Sequence, residues 1–327
     1  MLRRTPKRGK AMVRSLHVSW NLAMETAASS GKITEIDWAL DPGQAAFERF
    51  YRQITDRDDL PTIPEVARHL MMAVNRETTT ARQLASLIGR DQSLAAKLLR
   101  LANSAFFGLQ RTVTDLGQAV TLLGFGSVRD LVMTLSLWGA IGNGDPVTLK
   151  RRKPLWIHCA SVAAASKLLA KRVGRIDAGE ALSAGLLHDI GKLLLGLRLG
   201  VTYWDMIDQA EETGTDPTTV ELDAFGIHHG TVGQYLLQLW ALPQTLSDGV
   251  SAHHAPLTME PGSAIGLPHV VNAANRIVRL IAHESEQEAI AVLESLAPGR
   301  LTAEMWPALQ EEFEAEQEQI AGFFGSH

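Results

Sequence analysis

The chain has 327 residues, 46% of them hydrophobic, and a formal net charge of −5. One cysteine, Cys159, excludes a disulfide framework within the chain, and the acidic balance (pI about 6.1) lacks the basic footprint of a nucleic-acid binder. No stretch reaches the ~18 apolar residues needed to cross a bilayer.

A reducing, cytoplasmic setting is the expectation from the cysteine count. The basic N-terminus (Arg3, Arg4, Lys7, Arg8, Lys10, Arg14) lacks the continuous apolar core of a signal peptide. Aromatics are few at 6%, and abundant Ala and Leu favour helices.

Residues 1–55 read as an N-terminal extension, partly disordered, with a turn at Asp41-Pro42-Gly43. From Leu60 the helical signals are dense. Thr62 with Glu65 and Thr80 with Gln83 are capping-box pairs. Leu84, Leu87 and Ile88 follow before Gly89, and Leu94, Leu98, Leu99 and Leu101 mark the next helix. Asp115 with Gln118 opens another, which Gly124-Phe125-Gly126 breaks. Ser127 caps a further helix through Trp138. Period-2 alternation never persists, so the expected class is all-α.

Gly142-Asn143-Gly144-Asp145-Pro146 is the clearest internal break. It separates an N-terminal helical subdomain (56–145) from a second one (146–283). After the basic run Lys150 to Lys153, a helix is expected from about Pro154 to Val173. Asp177 with Glu180 caps a helix expected to carry His188 and Asp189. Asp216-Pro217 starts the one expected to carry His228 and His229. Pro243 and Pro268 start two more. Residues 284–327 hold acidic helices, with ten glutamates against one arginine between Glu284 and Glu318. Leu293, Leu296, Leu301 and Phe313 are expected to dock them.

Six of the eleven histidines fall in four clusters: His158, His188, His228/His229 and His253/His254. His188-Asp189 sits in an otherwise apolar run, where unpartnered polar groups are costly. On a continuous helix His188 and Lys192 would share a face, with Asp189 about 100° round. Gly233, one turn after His229, would let another helix approach closely. Histidines converging from neighbouring helices could hold divalent Fe, Mn, Zn or Ni, as helical bundles do. One aspartate can bridge two cations that clamp a phosphate oxygen, and Lys192 would face the developing phosphoryl charge. Cys159 beside His158 could be a soft ligand, but a small buried residue is the expected role.

Gly185-Leu186-Leu187-His188-Asp189-Ile190-Gly191-Lys192 resembles the signature of the HD superfamily of metal-dependent phosphohydrolases. Trp156-x-His158, Gly226-x-His228-His229-x-x-Val232-Gly233, Trp240-x-Leu242-Pro243 and His253-His254-x-Pro256 resemble its HDOD branch, a group of bacterial signalling and regulatory domains. So do Leu60-Pro61-x-x-Pro64, Arg90-Asp91, Leu101-Ala102-Asn103-Ser104 and Ala119-Val120-x-x-Leu123-Gly124. The likeness runs from about Asp56 to Ala282.

The resemblance places metal positions at His158, His188, Asp189, His229, His253 and His254, with Asp189 bridging two ions and His228 a neighbour. It gives Asp189 and Lys192 the catalytic roles, with Lys192 matching the lysine that faces the phosphate in related phosphodiesterases. Catalytic HD enzymes close the site with a further aspartate, and the match here is Asn275, whose carbonyl oxygen brings no charge. Pro154 stands where related cyclic-dinucleotide phosphodiesterases carry a glutamate, and their Gly-Tyr-Pro motif is absent from the sequence.

The implied function is a signal-transduction module whose metal site senses or scaffolds, with a protein partner and a nucleotide or phosphate as ligand. The alternative is an active metal-dependent phosphohydrolase or phosphodiesterase. A DNA-binding regulator is disfavoured. Thr80 to Arg100 has helix–turn–helix spacing, but its second helix offers only Lys97 and Arg100 to base edges. The run Lys150 to Lys153 reads as a solvated helix start that could draw an anion towards His158.

Overall fold

The structure, a computed structural model, describes residues 69, 73, 79–103, 112–126, 128, 132, 146–240, 242–255 and 264–324. The expectations for residues 1–55, the Thr62 cap, the Ser127 helix and the Gly142–Asp145 break fall outside these residues. Among the described residues every regular element is helical. One compact unit includes Leu195–His228, and a second includes the described parts of Pro61–Leu194 and His229–His327.

The second unit opens with α1 (Ala81–Ile88), α2 (Gln92–Ala102) and α3 (Leu116–Leu123). Thr80 caps α1 in a capping box with Gln83, and Asp115 caps α3 by accepting from the Gln118 N–H. Leu94 and Leu98 of α2 are buried. The helix–turn–helix stretch therefore turns its apolar stripe into a core, and Lys97 is half-buried.

Helix α4 runs from Pro146 to Val173, eight residues earlier than the expected start at Pro154. Pro154 lies inside it on the exposed side. A proline there removes one backbone hydrogen bond, and water can reach the carbonyl left over. From Cys159 to Ala170 the helix is buried on every side, as befits a central helix. Against it pack α5 (Ala178–Leu187), α11 (Leu267–Ala282) and α13 (Trp306–Phe324). Gly185 makes the α4–α5 approach possible. A Cβ there would sit 2.6 Å from Ala163 Cα and 2.9 Å from the Val162 carbonyl oxygen.

Helix α6 (Ile190–Leu199) follows α5 directly, so His188 and Asp189 lie between two helices, where one continuous helix was expected. The cause is local. The His188 ring takes the Gly185 carbonyl at 2.7 Å, a side-chain bond that competes with helix propagation. The Lys192 N–H then turns back to the Asp189 carbonyl.

The first unit contains α7 (Val201–Glu212) and α8 (Pro217–Phe225), with Asp216 as cap and Pro217 in the first turn of α8. Its buried Glu221 accepts a 2.7 Å hydrogen bond from Tyr203. Helix α8 stops at Gly226, which takes the left-handed conformation (φ 69°) that glycine adopts at low cost. His229 accordingly opens its own helix, α9 (His229–Leu239), instead of continuing the one begun at Pro217.

Back in the second unit, α10 (Gln244–Ser251) starts after Pro243 and packs against α9, α5 and α11. Gly233 lies in the α9–α10 contact, where its Cβ would meet Val250 Cγ1 at 2.8 Å. Helix α12 (Glu286–Leu296) and α13 close the chain. Leu293, Leu296, Leu301 and Phe313 are buried, so the acidic segment docks through the side chains expected.

Candidate metal centre

Four segments of the second unit bring their histidines together. His158 comes from the middle of α4, His188 and Asp189 from the α5–α6 junction, His229 from the first turn of α9, and His253 and His254 from the turn after α10. His188, Asp189 and His229 are fully buried, and His253 nearly so. His158 keeps 25% of its side chain exposed. The cluster meets solvent there.

Asp189 is the centre. Its Oδ2 lies 2.7 Å from Lys192 Nζ, 3.4 Å from His188 Nε2 and 3.7 Å from His158 Nε2. Its Oδ1 lies 3.1 Å from His229 Nε2 and 3.4 Å from His253 Nε2, yet makes no well-formed hydrogen bond. Two groups with metal-ligand spacing result. His158, His188 and Asp189 form one, and Asp189, His229, His253 and His254 form the other. Both draw on the same carboxylate.

The hydrogen bonds fix how two of the rings point. His188 Nδ1 donates to the Gly185 carbonyl, and His253 Nδ1 donates to the Val250 carbonyl at 2.5 Å. In each neutral imidazole the other nitrogen, Nε2, then carries the lone pair. Both lone pairs face a carboxylate oxygen of Asp189, acceptor against acceptor. Further ring nitrogens crowd in, with His188 Nε2 3.3 Å from His158 Nε2 and His229 Nε2 3.0 Å from His253 Nε2. His158 and His229 can each donate an Nε2 proton to these lone pairs, or all four rings can turn their lone pairs to a cation, and the donor set suits divalent metal.

The protonation states agree. Burial, then His188, pushes His158 down to about 3, against the pull of Asp189. Burial likewise holds His253 well below its ordinary range. Burial alone would raise the Asp189 carboxyl, but His188 and Lys192 outweigh it and hold it well below the usual carboxylate range. Neutral imidazoles and an ionised carboxylate are the forms that bind metal. The Cys159 thiol is fully buried and raised by burial and by Asp189, so it stays protonated, as a packing residue would.

Asn275 lies on α11, 2% exposed, with its Oδ1 lacking a hydrogen-bond partner. His228 is half-buried and belongs to neither ligand group. Lys192 and His188 both point at Asp189 Oδ2, at 2.7 and 3.4 Å. One residue of the surround carried no expectation. Asn272 on α11 donates to the carbonyls of His253 (2.9 Å) and Ala255 (2.6 Å) and so ties down the histidine-pair turn. Its sequence signal was a lone amide in the apolar run Val270 to Ala274.

The sequence model of the HDOD domain matches residues 60–256. The chain belongs to the HDOD domain family. The matched region takes in the six clustered residues and Lys192 but ends before Asn275. An uncharacterized protein of Treponema pallidum (strain Nichols) is 26% identical over 273 residues, or 81% of this chain and 52% of its own. This HDOD protein thus spans about half the length of that curated relative. Among solved structures, a candidate phosphohydrolase of Shewanella amazonensis SB2B is 25% identical, with 84% of this chain and 97% of that one covered and a TM-score of 0.65. An HDOD domain protein of unknown function from Geobacter sulfurreducens shares the fold at 23% identity, with the same coverage and a TM-score of 0.64. No helix among the described residues is long and apolar enough to cross a membrane.

Proposed function

We propose that this HDOD protein is a signal-transduction module with a divalent-metal centre that senses or scaffolds and does not turn over a substrate. The observation that carries the proposal is the shared carboxylate. Asp189 belongs to both ligand groups, and its Oδ1 is buried without a hydrogen bond. His158 and His188 would hold one ion, His229, His253 and His254 the other, and Asp189 would bridge them. Bound metal would supply Lewis acidity and a fixed positive charge. Iron, manganese, zinc and nickel all suit these ligands. Lys192 holds Asp189 ionised and in place. Asn275 would offer a neutral carbonyl where a hydrolase of this superfamily is expected to place a second carboxylate, so one ion is held less tightly. The N-terminal helices and the acidic helices α12 and α13 would engage a protein partner.

A second reading, an active phosphohydrolase, is favoured by the Lys192 ammonium 2.7 Å from Asp189 and by the Shewanella likeness. The deciding experiment assays metal-loaded wild type, Asp189→Ala and Asn275→Asp on nucleotide and generic phosphodiester substrates. A silent wild type with turnover in Asn275→Asp supports the sensing module. Wild-type turnover that Asp189→Ala abolishes establishes the hydrolase. A purified protein that takes up no metal defeats both.

A further inference from the structure

Outside the metal cluster, the packing of α13 along α4 leaves one face of α4 unfinished. As α13 advances from Glu312 to Gln317, its partners on α4 step back from Arg172 to Ser161, so the two helices run antiparallel. Gln317 Nε2 donates to Ser161 Oγ at 2.8 Å, and the buried Ser161 hydroxyl donates in turn to the Ile157 carbonyl at 2.9 Å. The same face of α4 continues through His158, Ile157 and Pro154, one and two turns before Ser161. There the cover thins. Ile157 is 36% exposed, Pro154 is exposed, and His158 keeps a quarter of its side chain in solvent.

The occupant for that face is in the chain itself. Trp306, Leu309 and Phe313 form the buried stripe of α13, and the half-buried Gln317 continues it. The next positions of the stripe are Ile320 and Phe324, and α13 extends to Phe324. Seven residues beyond Gln317 make about 10 Å of helix, the same length that carries α4 back from Ser161 to Pro154. The stripe of α13 thus comes level with the turns that hold Ile157 and His158. Two large apolar residues, ending a helix otherwise rich in glutamate, match an exposed isoleucine and proline. The seat of α13 is also imperfect. An apolar cavity of about 30 Å³ lies beneath it, walled by Leu168, Ile277, Leu293, Trp306 and Phe313, and the buried Trp306 indole N–H lacks a hydrogen-bond partner among the described residues. A void forfeits contacts and an unmet donor costs free energy, so both lower the cost of lifting α13.

We propose that Ile320 and Phe324, on the last two turns of α13, seat against Pro154 and Ile157 as a lid beside His158, and that the cluster exchanges its contents with solvent when this lid lifts. The lid rests on the metal-centre reading only for what is exchanged. Neither Ile320 nor Phe324 belongs to a ligand group, so changing them alters access and leaves metal content alone.

The test follows modification of His158 by diethyl pyrocarbonate in the metal-free full-length chain, read by peptide mass spectrometry, and in a parallel arm the extraction of bound zinc by a chelator. Wild type is compared with the double variant Ile320→Asp, Phe324→Asp and with the pair Ile157→Cys, Ile320→Cys, oxidised and reduced. The aspartate variant is expected to react about tenfold faster at His158, because lid closure no longer buries two apolar side chains. It should lose zinc correspondingly faster at unchanged zinc stoichiometry. The oxidised cysteine pair should join and slow both processes, and reduction should restore them. Equal rates in wild type and the aspartate variant, or a cysteine pair that does not join, overturns the proposal. If the wild type takes up no zinc, the metal-centre reading fails, and the His158 arm on the metal-free protein still decides the lid.

Discussion

Lys192 Nζ stands 2.7 Å from Asp189 Oδ2, and both side chains are buried. Asp189 lies in the break between α5 and α6, and Lys192 in the first turn of α6. Without metal, the Lys192 ammonium is the full positive charge in contact with the Asp189 carboxylate. Removing one member of a buried ion pair strands the other and costs about 3–5 kcal/mol. Lys192→Met is therefore expected to lower the melting temperature of the metal-free protein strongly. Divalent metal should recover much of the loss, because a bound cation takes over the ammonium's electrostatic role. Thermal melts with and without metal measure this, and a loss that metal leaves unchanged would speak against a metal site at Asp189.

The close approach of α6 to α9 depends on Gly191. A Cβ there would collide with the His229 carbonyl and lie 2.9 Å from the Gly233 nitrogen. Gly191→Ala must push α9 outward, and His229 with it. Overpacking of this kind costs about 1–3 kcal/mol, and the His229, His253 and His254 group should lose metal before the His158 and His188 group does. Metal titration monitored by Co(II) absorption distinguishes the two groups. Retention of both ions at wild-type affinity would show that His229 does not need this contact.

Asn272 ties the His253–His254 turn to α11 through two backbone carbonyls. Partners that orient metal ligands typically contribute 10–100-fold to affinity. Asn272→Ala should weaken metal binding by about that factor, and hydrogen exchange at residues 253–255 should quicken even without metal. An unchanged exchange pattern would mean that the turn holds itself.

The metal-free protein should lose stability on acidification. Burial places His158 at about 3, below its ordinary value of 6.5, and His253 is shifted the same way. Between those values the unfolded chain takes up protons that the folded chain refuses. Their contribution is intact above pH 6.5 and is lost as pH falls towards about 3. Asp189, held low by His188 and Lys192 against the cost of burial, acts in the same direction at still lower pH. Melting temperatures from pH 7 to 4 should fall steadily, and His158→Gln with His253→Gln should flatten the slope. A flat wild-type profile would contradict the neutral state of these histidines.

Much of this architecture is readable from local chemistry. Thr80, Asp115, Asp177 and Asp216 cap helices where a side-chain oxygen three or two residues ahead of an N–H predicts it. The histidine spacing and the HDOD motifs mark the cluster. The α5–α6 break is not readable, because the flanking stretches Leu182–Leu187 and Ile190–Leu195 are both mostly apolar and helix-compatible, and the break follows from a ring-to-carbonyl bond at His188. The early start of α4 was hidden by Pro154, which reads as a helix start but is tolerated inside one at an exposed position. Asn272 was missed because it acts on carbonyls distant in sequence, and only the packing of α11 reveals it.

One carboxylate, Asp189, is proposed to serve two metal positions. Metal content per chain, measured by mass spectrometry on wild type and Asp189→Asn after equal exposure to divalent metal, tests it most directly. The expected result is two ions in the wild type and the loss of both in the variant. A variant that keeps one ion at full occupancy, or a wild type that holds none, would contradict it.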